Sequence, residues 1–199
     1  MGKVDNNKKQ KETTLYNAAY ELFSQKGLTK TTISDIVNAA GVAKGTFYLY
    51  FHDKYDLHEK LVAQKVTGMV INAFQALSRK DLNNFEDTVF FLIDHIISQL
   101  EADHVLLNFV YHNLSWSTFT QTILDDSMRQ LDIPTQLDTF LLQSNIHFEH
   151  PEFMFFTIIE LIEGTAYNCI YYQQPAAMEA YRPYLHKAIL GIISQFQIS

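Results

Sequence analysis

Cysteine, proline and glycine are scarce in this sequence, and long apolar runs are missing. One cysteine in 199 residues excludes an intramolecular disulfide framework. Four prolines and seven glycines leave long stretches with helical periodicity, which favours an all-α fold. The longest uncharged run, 105–124, contains His, Asn, Ser, Thr and Gln, too polar a mixture for a bilayer span. Because the Lys-rich start also lacks the apolar segment of a signal peptide, we expect a cytoplasmic protein with no membrane segment.

Signatures of enzymes and metal sites are missing as well. There is no Gly-rich phosphate loop, no G-x-S-x-G elbow and no H-E-x-x-H. Eight histidines are present, but none has the spacing of metal ligands. His147 and His150 adjoin Pro151, and His104 and His112 have no cysteine or close carboxylate beside them. We therefore expect no enzyme, no metal site and no cofactor.

Acidic residues outnumber basic ones, and their distribution is uneven. The net charge is −7. Residues 1–60 carry nine lysines against seven acids, a net of +2, whereas residues 61–199 carry six basic residues against fifteen acids, a net of −9. A mildly basic head followed by an acidic body permits a nucleic-acid partner for the head despite the acidic total.

The head shows the pattern of three short helices and the start of a long one. Apolar residues from Leu15 to Phe23 recur at helical spacing before Gly27, which predicts a first helix over about 9–26. Thr32 and Asp35 fit a capping box, which predicts a second helix over 33–40. The turn "GVA" then leads into "KGTFYLYF", and a long helix is predicted from Asp53 to about residue 78.

Two short helices joined by a tight turn containing glycine form a helix-turn-helix, whose second helix enters the major groove of DNA. In this reading Phe47 and Phe51 anchor the second helix on its neighbours. Lys44, Gly45, Thr46 and Tyr48 face outward, where base edges and phosphates can be reached.

The segment "TTISDIVNAAGVAKGTFYLYFHDKYDLHEKL" resembles the N-terminal signature of the TetR family of transcriptional regulators, without a gap over about 10–61. The resemblance implies DNA-binding roles for seven positions: Thr32 and Lys54 on phosphate, Lys44, Gly45 and Thr46 in the groove, and Tyr48 and Tyr50 near the DNA backbone. Two positions depart from the family pattern. Ala43 stands where Ser often caps the recognition helix, and Leu49 stands where a second Tyr is frequent.

The domain organisation follows from this head. We expect a helix-turn-helix DNA-binding domain over 1–52 and a helical ligand-binding and dimerisation domain over 53–199. The body is predicted to contain helices over 53–78, 85–102, 104–115, 117–131, 135–146, 152–173 and 177–197.

The last two helices are candidates for a dimer interface. The stretch 152–173 is apolar on nearly every side, and the last helix carries an apolar stripe from Leu185 to Phe196. The resemblance implies that two such helices from each subunit form a homodimer, in which Gly164 and Gly191 allow close approach. An ordinary core within one chain is the alternative.

Fifteen aromatic residues lie between Phe85 and Tyr172, and the resemblance implies an inducer site in this region. The predicted pocket residues are Phe90, Phe91, Phe109, Trp116, Phe119, Phe140, Phe156, Glu160 and Tyr167. Asp94, Glu160 and Glu163 interrupt apolar helices and are candidates to pair with a cationic ligand, although each also fits a solvent-facing or interface position.

The sequence thus favours a dimeric regulator that binds a double-stranded DNA operator, most simply a repressor released by a small apolar or aromatic inducer. The alternative is a DNA-binding regulator that is controlled by a protein partner and has no small-molecule pocket.

Overall fold

The computed structural model describes residues 3–82, 84–111, 113 and 146–198, and these form two compact units. The first unit, the head, spans Met1–Gln64, and the second unit, the body, spans Lys65–Ser199. The described secondary structure is almost entirely helical, so the predicted all-α fold is confirmed.

The head begins with a long helix, α1, over Lys3–Lys30. It starts six residues before the predicted position. The prediction missed these first turns because they are polar and carry no apolar periodicity. Gly27 interrupts the helix with a positive φ of 80°, as its predicted role as a stop signal requires. Leu15 and Ala19 are fully buried, and Ala18 and Phe23 nearly so, which confirms the predicted packing face.

The second helix, α2, spans Ile33–Ala40 as predicted, and its start is held by side chains. The Thr32 hydroxyl accepts a hydrogen bond from the Asp35 amide at 3.1 Å, and the Asp35 carboxylate accepts one from the Thr32 amide at 2.9 Å. Lys26 donates to the same carboxylate at 2.8 Å, which ties α2 to α1. At the other end Gly41 adopts the left-handed conformation, with φ 67° and ψ 31°, and ends the helix.

The third helix, α3, is a single turn over Lys44–Phe47. Its N-cap residue, Ala43, makes no side-chain capping bond, in accordance with the missing serine. Phe47 is fully buried and Phe51 nearly so, their ring centroids 5.5 Å apart, while Tyr16 packs edge-on against Phe51 at 5.2 Å. The anchoring role predicted for the two phenylalanines is therefore confirmed.

The fourth helix, α4, spans Lys54–Leu77 without interruption. The division between the two compact units falls within α4, after Gln64, and the domain boundary after residue 52 stays a prediction. The division falls there because the first turns of α4 complete the core of the head. Leu57 and Leu61 are buried there, and His58 packs edge-on against Phe23 at 5.4 Å. Burial lowers the pKa of His58, which favours its neutral form.

The body contains four further α-helices among its described residues: α5 over Phe85–Ala102, α6 over His104–Val110, α7 over Pro151–Tyr167 and α8 over Met178–Phe196. A π-helical turn over Asn168–Tyr172 extends α7. Two short strands, β1 over His147–Phe148 and β2 over Gln197–Ile198, pair in an antiparallel arrangement. The predicted helices over 117–131 and 135–146 lie outside the described residues, apart from Ile146, which is not helical.

A cluster of charged side chains joins α5 to α8. Arg182 donates to Asp94 at 3.0 Å and to Glu101 at 2.9 Å, and His186 Nε2 lies 2.9 Å from the same Asp94 oxygen. Phe90 stacks on the His186 ring with centroids 4.1 Å apart. Asp94 was a predicted partner for a cationic ligand, but its charge is already compensated by residues of α8.

One helical stretch of the described residues, 151–172, is long and apolar enough to cross a membrane by length and composition, with a mean hydropathy of 1.3. A single stretch of this kind is weak support for a span, because a core helix of a protein without membrane segments meets the same criteria.

The Asp35 cap predicts an acid dependence of the head. Hydrogen bonding to Lys26, and then to Thr32, lowers the pKa of Asp35 from 3.8 to about 2. Because the folded pKa is the lower one, the stabilisation is complete above 3.8 and is lost as the pH falls toward 2. Asp35→Asn should therefore flatten the loss of stability over this range, measured by urea unfolding at a series of pH values.

Glu59→Gln is the matched control, because Glu59 is an exposed carboxylate of the head that makes no ion pair among the described residues. Equal acid dependence in wild type and Asp35→Asn would show that the cap contributes nothing to folding.

Candidate nucleic-acid interface and body cavity

Several residues predicted to read DNA lie on the surface of the helix-turn-helix. Lys44 and Gly45 are exposed, Thr46 is half-buried, and the Tyr48 side chain is 53% exposed. A Cβ at Gly45 would meet no atom within 4 Å, so glycine is not required there by the protein's own packing. Because glycine has no side chain, a ligand can approach the backbone closely at this position.

Two other predicted DNA contacts already have roles within the head. Thr32 is exposed, and its hydroxyl and amide form the capping box of α2. Tyr50 is half-buried, and its hydroxyl donates to the backbone carbonyl of Lys8 at 3.0 Å. The sequence contains no local signal for this last contact, because the two residues are 42 positions apart.

Lys54 occupies a position that the sequence did not predict. Its ammonium donates to the carbonyl oxygens of Leu28 at 2.9 Å, Thr29 at 3.1 Å and Thr31 at 2.9 Å. An ammonium has three donors, and all three are used. The Leu28 and Thr29 carbonyls belong to the last turn of α1, where cations interact favourably with the helix dipole, and the Thr31 carbonyl follows directly after it. Lys54 thus forms a clamp between α1 and α4, and the phosphate contact predicted for it stays a prediction.

The body contains a cavity of about 120 Å³ among its described residues. Its wall is almost wholly apolar and comes from the second half of α4, from α5, from α6 with Tyr111 after it, and from α7. The lining residues are Val66, Met69, Val70, Ile96, Leu100, Leu107, Val110, Tyr111, Ile159, Ile162, Glu163 and Ala166.

The described aromatic residues predicted to line a pocket do not line this cavity. Phe90 stacks on His186, Phe91 stacks on His95, and Phe109 is buried elsewhere. Phe156 and Glu160 are exposed. Trp116, Phe119 and Phe140 lie outside the described residues, so the aromatic inducer site stays a prediction. The open volume of this cavity lies mainly between aliphatic side chains, with Tyr111 at its edge.

Tyr167 lies behind the wall of the cavity. Its ring stacks on Tyr111 with centroids 3.5 Å apart and an interplanar angle of 1°, and on Tyr171 at 5.2 Å. Its hydroxyl donates to the Asn108 side-chain oxygen at 3.0 Å. Burial, followed by the neighbouring Tyr172, raises the pKa of Tyr167. Tyr167 therefore contacts a residue of the cavity wall, Tyr111, without lining the cavity itself.

No group of three or more His, Cys, Asp or Glu side chains is placed to hold a metal ion in the part of the chain that the structure describes.

The head matches a known protein family in sequence. Residues 15–61 match the family model described as bacterial regulatory proteins, tetR family. The chain is similar to the uncharacterized HTH-type transcriptional regulator YvdT of Bacillus subtilis, with 33% identity over 114 residues, covering 54% of this chain and 58% of the relative. It is also similar to the fatty acid metabolism regulator protein of Bacillus subtilis, with 31% identity over 99 residues and 50% of each chain covered.

In sequence, the chain spans about half the length of the curated relatives it matches. Solved structures extend the likeness of the fold. The regulator FadR from Bacillus subtilis in complex with stearoyl-CoA has a TM-score of 0.62 and 21% identity, covering 89% of this chain and 96% of that one. A tetR family regulator from Shewanella has a TM-score of 0.65 and 17% identity, covering 95% of this chain and 99% of that one.

The Lys54 clamp predicts a loss of stability without a change in the salt dependence of DNA binding. Lys54→Met keeps the apolar stem but removes the ammonium, so three carbonyls lose a charged donor. The free energy of unfolding should fall by about 1.5–3 kcal/mol, measured by chemical denaturation. The slope of log affinity against log salt on duplex DNA should stay the same.

Lys60→Ala is the control for the removal of a lysine from α4. Lys60 pairs with Asp56 at 3.0 Å on the exposed side of the helix, a type of contact worth about 0.3–0.5 kcal/mol. A folded Lys54→Met variant with full stability, whose salt slope is lower by about 0.9 per subunit, would refute the clamp and establish the phosphate contact.

Proposed function

We propose, from the match of residues 15–61 to the tetR family model, that the chain is a dimeric transcriptional repressor whose release from DNA is controlled by a small apolar ligand. The observation that carries the ligand-dependent part is the apolar cavity of the body. In this proposal the protein acts in the cytoplasm, where its DNA partner lies.

The exposed side of α3 supports the assignment of the DNA-reading residues. Phe47 and Phe51 fix this turn on the core of the head, while Lys44, Gly45 and Thr46 stay accessible. A reading element must be held rigidly from one side and free on the other, because base edges are contacted only within hydrogen-bond distance. In this proposal Thr46 reads a base edge and Lys44 and Tyr48 contact phosphates.

Exposed apolar side chains on α7 support a second copy of the chain as partner. Phe153, Phe155 and Phe156 are 56, 37 and 43% exposed, and Tyr184 of α8 is 65% exposed. Apolar surface of this kind is rarely left in water. Gly164 and Gly191 each have open space around the position of a Cβ, so a neighbouring helix can approach there closely. A two-fold dimer would present two heads to the two half-sites of an operator.

The cavity supports an apolar ligand or an apolar part of a larger one. A cavity of about 150 Å³ lined by aliphatic and aromatic side chains stays dry and binds benzene, so the 120 Å³ here suits a single ring or a short length of alkyl chain. The complex of Bacillus subtilis FadR with stearoyl-CoA shows that a protein of similar fold takes an acyl ligand. A longer chain would have to push the wall residues apart.

The helix α4 supplies the route from ligand to DNA in this proposal. Its first residue, Lys54, is clamped to the end of α1, and its later residues Val66, Met69 and Val70 line the cavity. A ligand that enlarges the cavity displaces this second half, and an unbroken helix carries the displacement to its first turn. Release then requires the ligand to bind the displaced state more tightly than the DNA-binding state. Control by a protein partner alone would leave the cavity without a role.

The DNA-reading proposal predicts a selective effect of Thr46→Ala. A duplex selected from a random library by the purified protein supplies the preferred sequence. If Thr46 reads a base edge, the variant should lose about 1–3 kcal/mol of binding free energy on this duplex and much less on random DNA, measured by fluorescence anisotropy. The matched control is Thr13→Ala on α1, which lies outside the helix-turn-helix. Unchanged sequence preference in the variant would remove Thr46 from the reading residues.

The ligand proposal predicts that filling the cavity abolishes the release of the protein from DNA by a ligand. Ala166 is 1% exposed and lines the cavity, so Ala166→Leu adds bulk inside it. Free fatty acids of increasing chain length, and their coenzyme A thioesters, are the probes. They should release wild type from the selected duplex but leave the Ala166→Leu complex intact. Ala102→Leu, an exposed position at the end of α5, is the matched control and should behave as wild type.

Two results would overturn this part of the proposal. One is binding of the probes to wild type with no change in its affinity for DNA. The other is release of the Ala166→Leu variant at the same probe concentration as wild type.

A further inference from the structure

The helix α1 continues well beyond the region that matches the family model. The match begins at residue 15, whereas α1 begins at Lys3 and therefore has about three turns before it. Lys8, Lys9 and Lys11 lie on these turns and are all exposed. The function derived from the helix-turn-helix does not use this basic segment.

The segment is held against the residues that follow α3. The Tyr50 hydroxyl donates to the Lys8 carbonyl at 3.0 Å, and Tyr16, two turns further along α1, packs edge-on against Phe51 at 5.2 Å. Tyr50 and Phe51, which follow α3, thus contact α1 at two points along its length. The early turns of α1 are therefore fixed beside the predicted DNA-reading turn.

The three lysines differ in the side of the helix on which they lie. Lys8, Lys11 and Leu15 follow the i, i+3, i+7 spacing of one helix face, and Leu15 is fully buried in the head. Lys8 and Lys11 therefore continue the face that packs on the head, beyond the end of its core. Lys9 lies about 100° further round the helix from Lys8.

The charges of Lys8 and Lys11 are not neutralised within the described part of the head. The ion pairs found there join Lys26 to Asp35, His52 to Asp53 and Lys60 to Asp56. A pair of exposed lysines, without an ion pair among the described residues and beside a DNA-reading element, fits a polyanion, since phosphate contacts by lysine release the counterions condensed on DNA.

We propose that Lys8 and Lys11 form a second phosphate-binding site, which holds the DNA backbone beside the bases read by α3. The ligand is the phosphate backbone of duplex DNA, and the site contributes affinity without sequence preference. The proposal rests on the DNA-binding function proposed above. It adds a contact from residues outside the 15–61 match and gives Tyr50 a positioning role, through the Lys8 carbonyl, in place of a direct contact with DNA.

The test compares Lys8→Gln/Lys11→Gln with the charge-matched variant Lys9→Gln/Lys80→Gln. Lys80 lies after the end of α4 and outside the head, which ends at Gln64. Affinity for a random-sequence duplex and for the selected duplex is measured by anisotropy over a series of salt concentrations. The Lys8/Lys11 variant should lower the slope of log affinity against log salt by about 0.9 per lysine in each subunit on both duplexes. The control variant should keep the slope of wild type, and both variants should melt at the wild-type temperature.

Equal slopes for the two double variants would overturn the proposal while leaving DNA binding by α3 intact. Failure of wild type to bind any duplex would overturn both this proposal and the function on which it rests, so the two failures are distinguishable.

A double-mutant cycle tests the positioning role of Tyr50. Tyr50→Phe keeps the ring and removes only the hydroxyl that donates to Lys8. It should weaken binding in the wild-type background and have no effect in the Lys8→Gln/Lys11→Gln background, because the lysines that it positions are then missing. An equal loss in both backgrounds would mean that the Tyr50 hydroxyl acts on DNA directly, which would overturn this role.

Discussion

Carbonyl groups at the C-terminal end of a helix have no amide partners within that helix. In the head the Lys54 ammonium donates to two of them, Leu28 and Thr29, and to the carbonyl of Thr31 just beyond the helix. Gly27 interrupts α1 just before these carbonyls, so the chain changes direction where the clamp holds it. The start of α4 is thereby fixed to the end of α1, and Leu57 and Leu61 are brought into the core on which Phe47 and Phe51 pack. The exposed turn that carries Thr46 is positioned by this core, so its geometry depends on a lysine that does not reach it.

The body is held together by a different kind of contact. Asp94, Glu101, Arg182 and His186 join α5 to α8 through charged hydrogen bonds of 2.9–3.0 Å, with the Phe90 ring stacked against His186. Planar guanidinium and carboxylate groups fix direction as well as distance. None of these four residues lines the cavity, although α5 also contributes Ile96 and Leu100 to its wall.

Local signals in the sequence were sufficient for much of the fold. The bounds of α2 were predicted correctly because Thr32 and Asp35 mark where it begins, and the bounds predicted for α5 also agree with the structure. The start of α1 was missed because polar turns have no hydrophobic period. The role of Lys54 depends on carbonyls more than twenty positions away, and the Tyr50 contact spans 42 positions, so no local pattern contains them. The residues that line the cavity have no local signature either, because a void depends on how four segments meet.

The stacked pair of Tyr111 and Tyr167 gives the cavity an optical property. Tyr111 forms part of the wall, and its ring lies parallel to Tyr167 with centroids 3.5 Å apart. Electronic transitions of two parallel phenol rings at this separation are coupled, so their near-ultraviolet circular dichroism depends on the angle and distance between them. If the proposed ligand enters the cavity, it meets Tyr111 but not Tyr167, and a change in the geometry of the pair would then alter the tyrosine spectrum of the unlabelled protein.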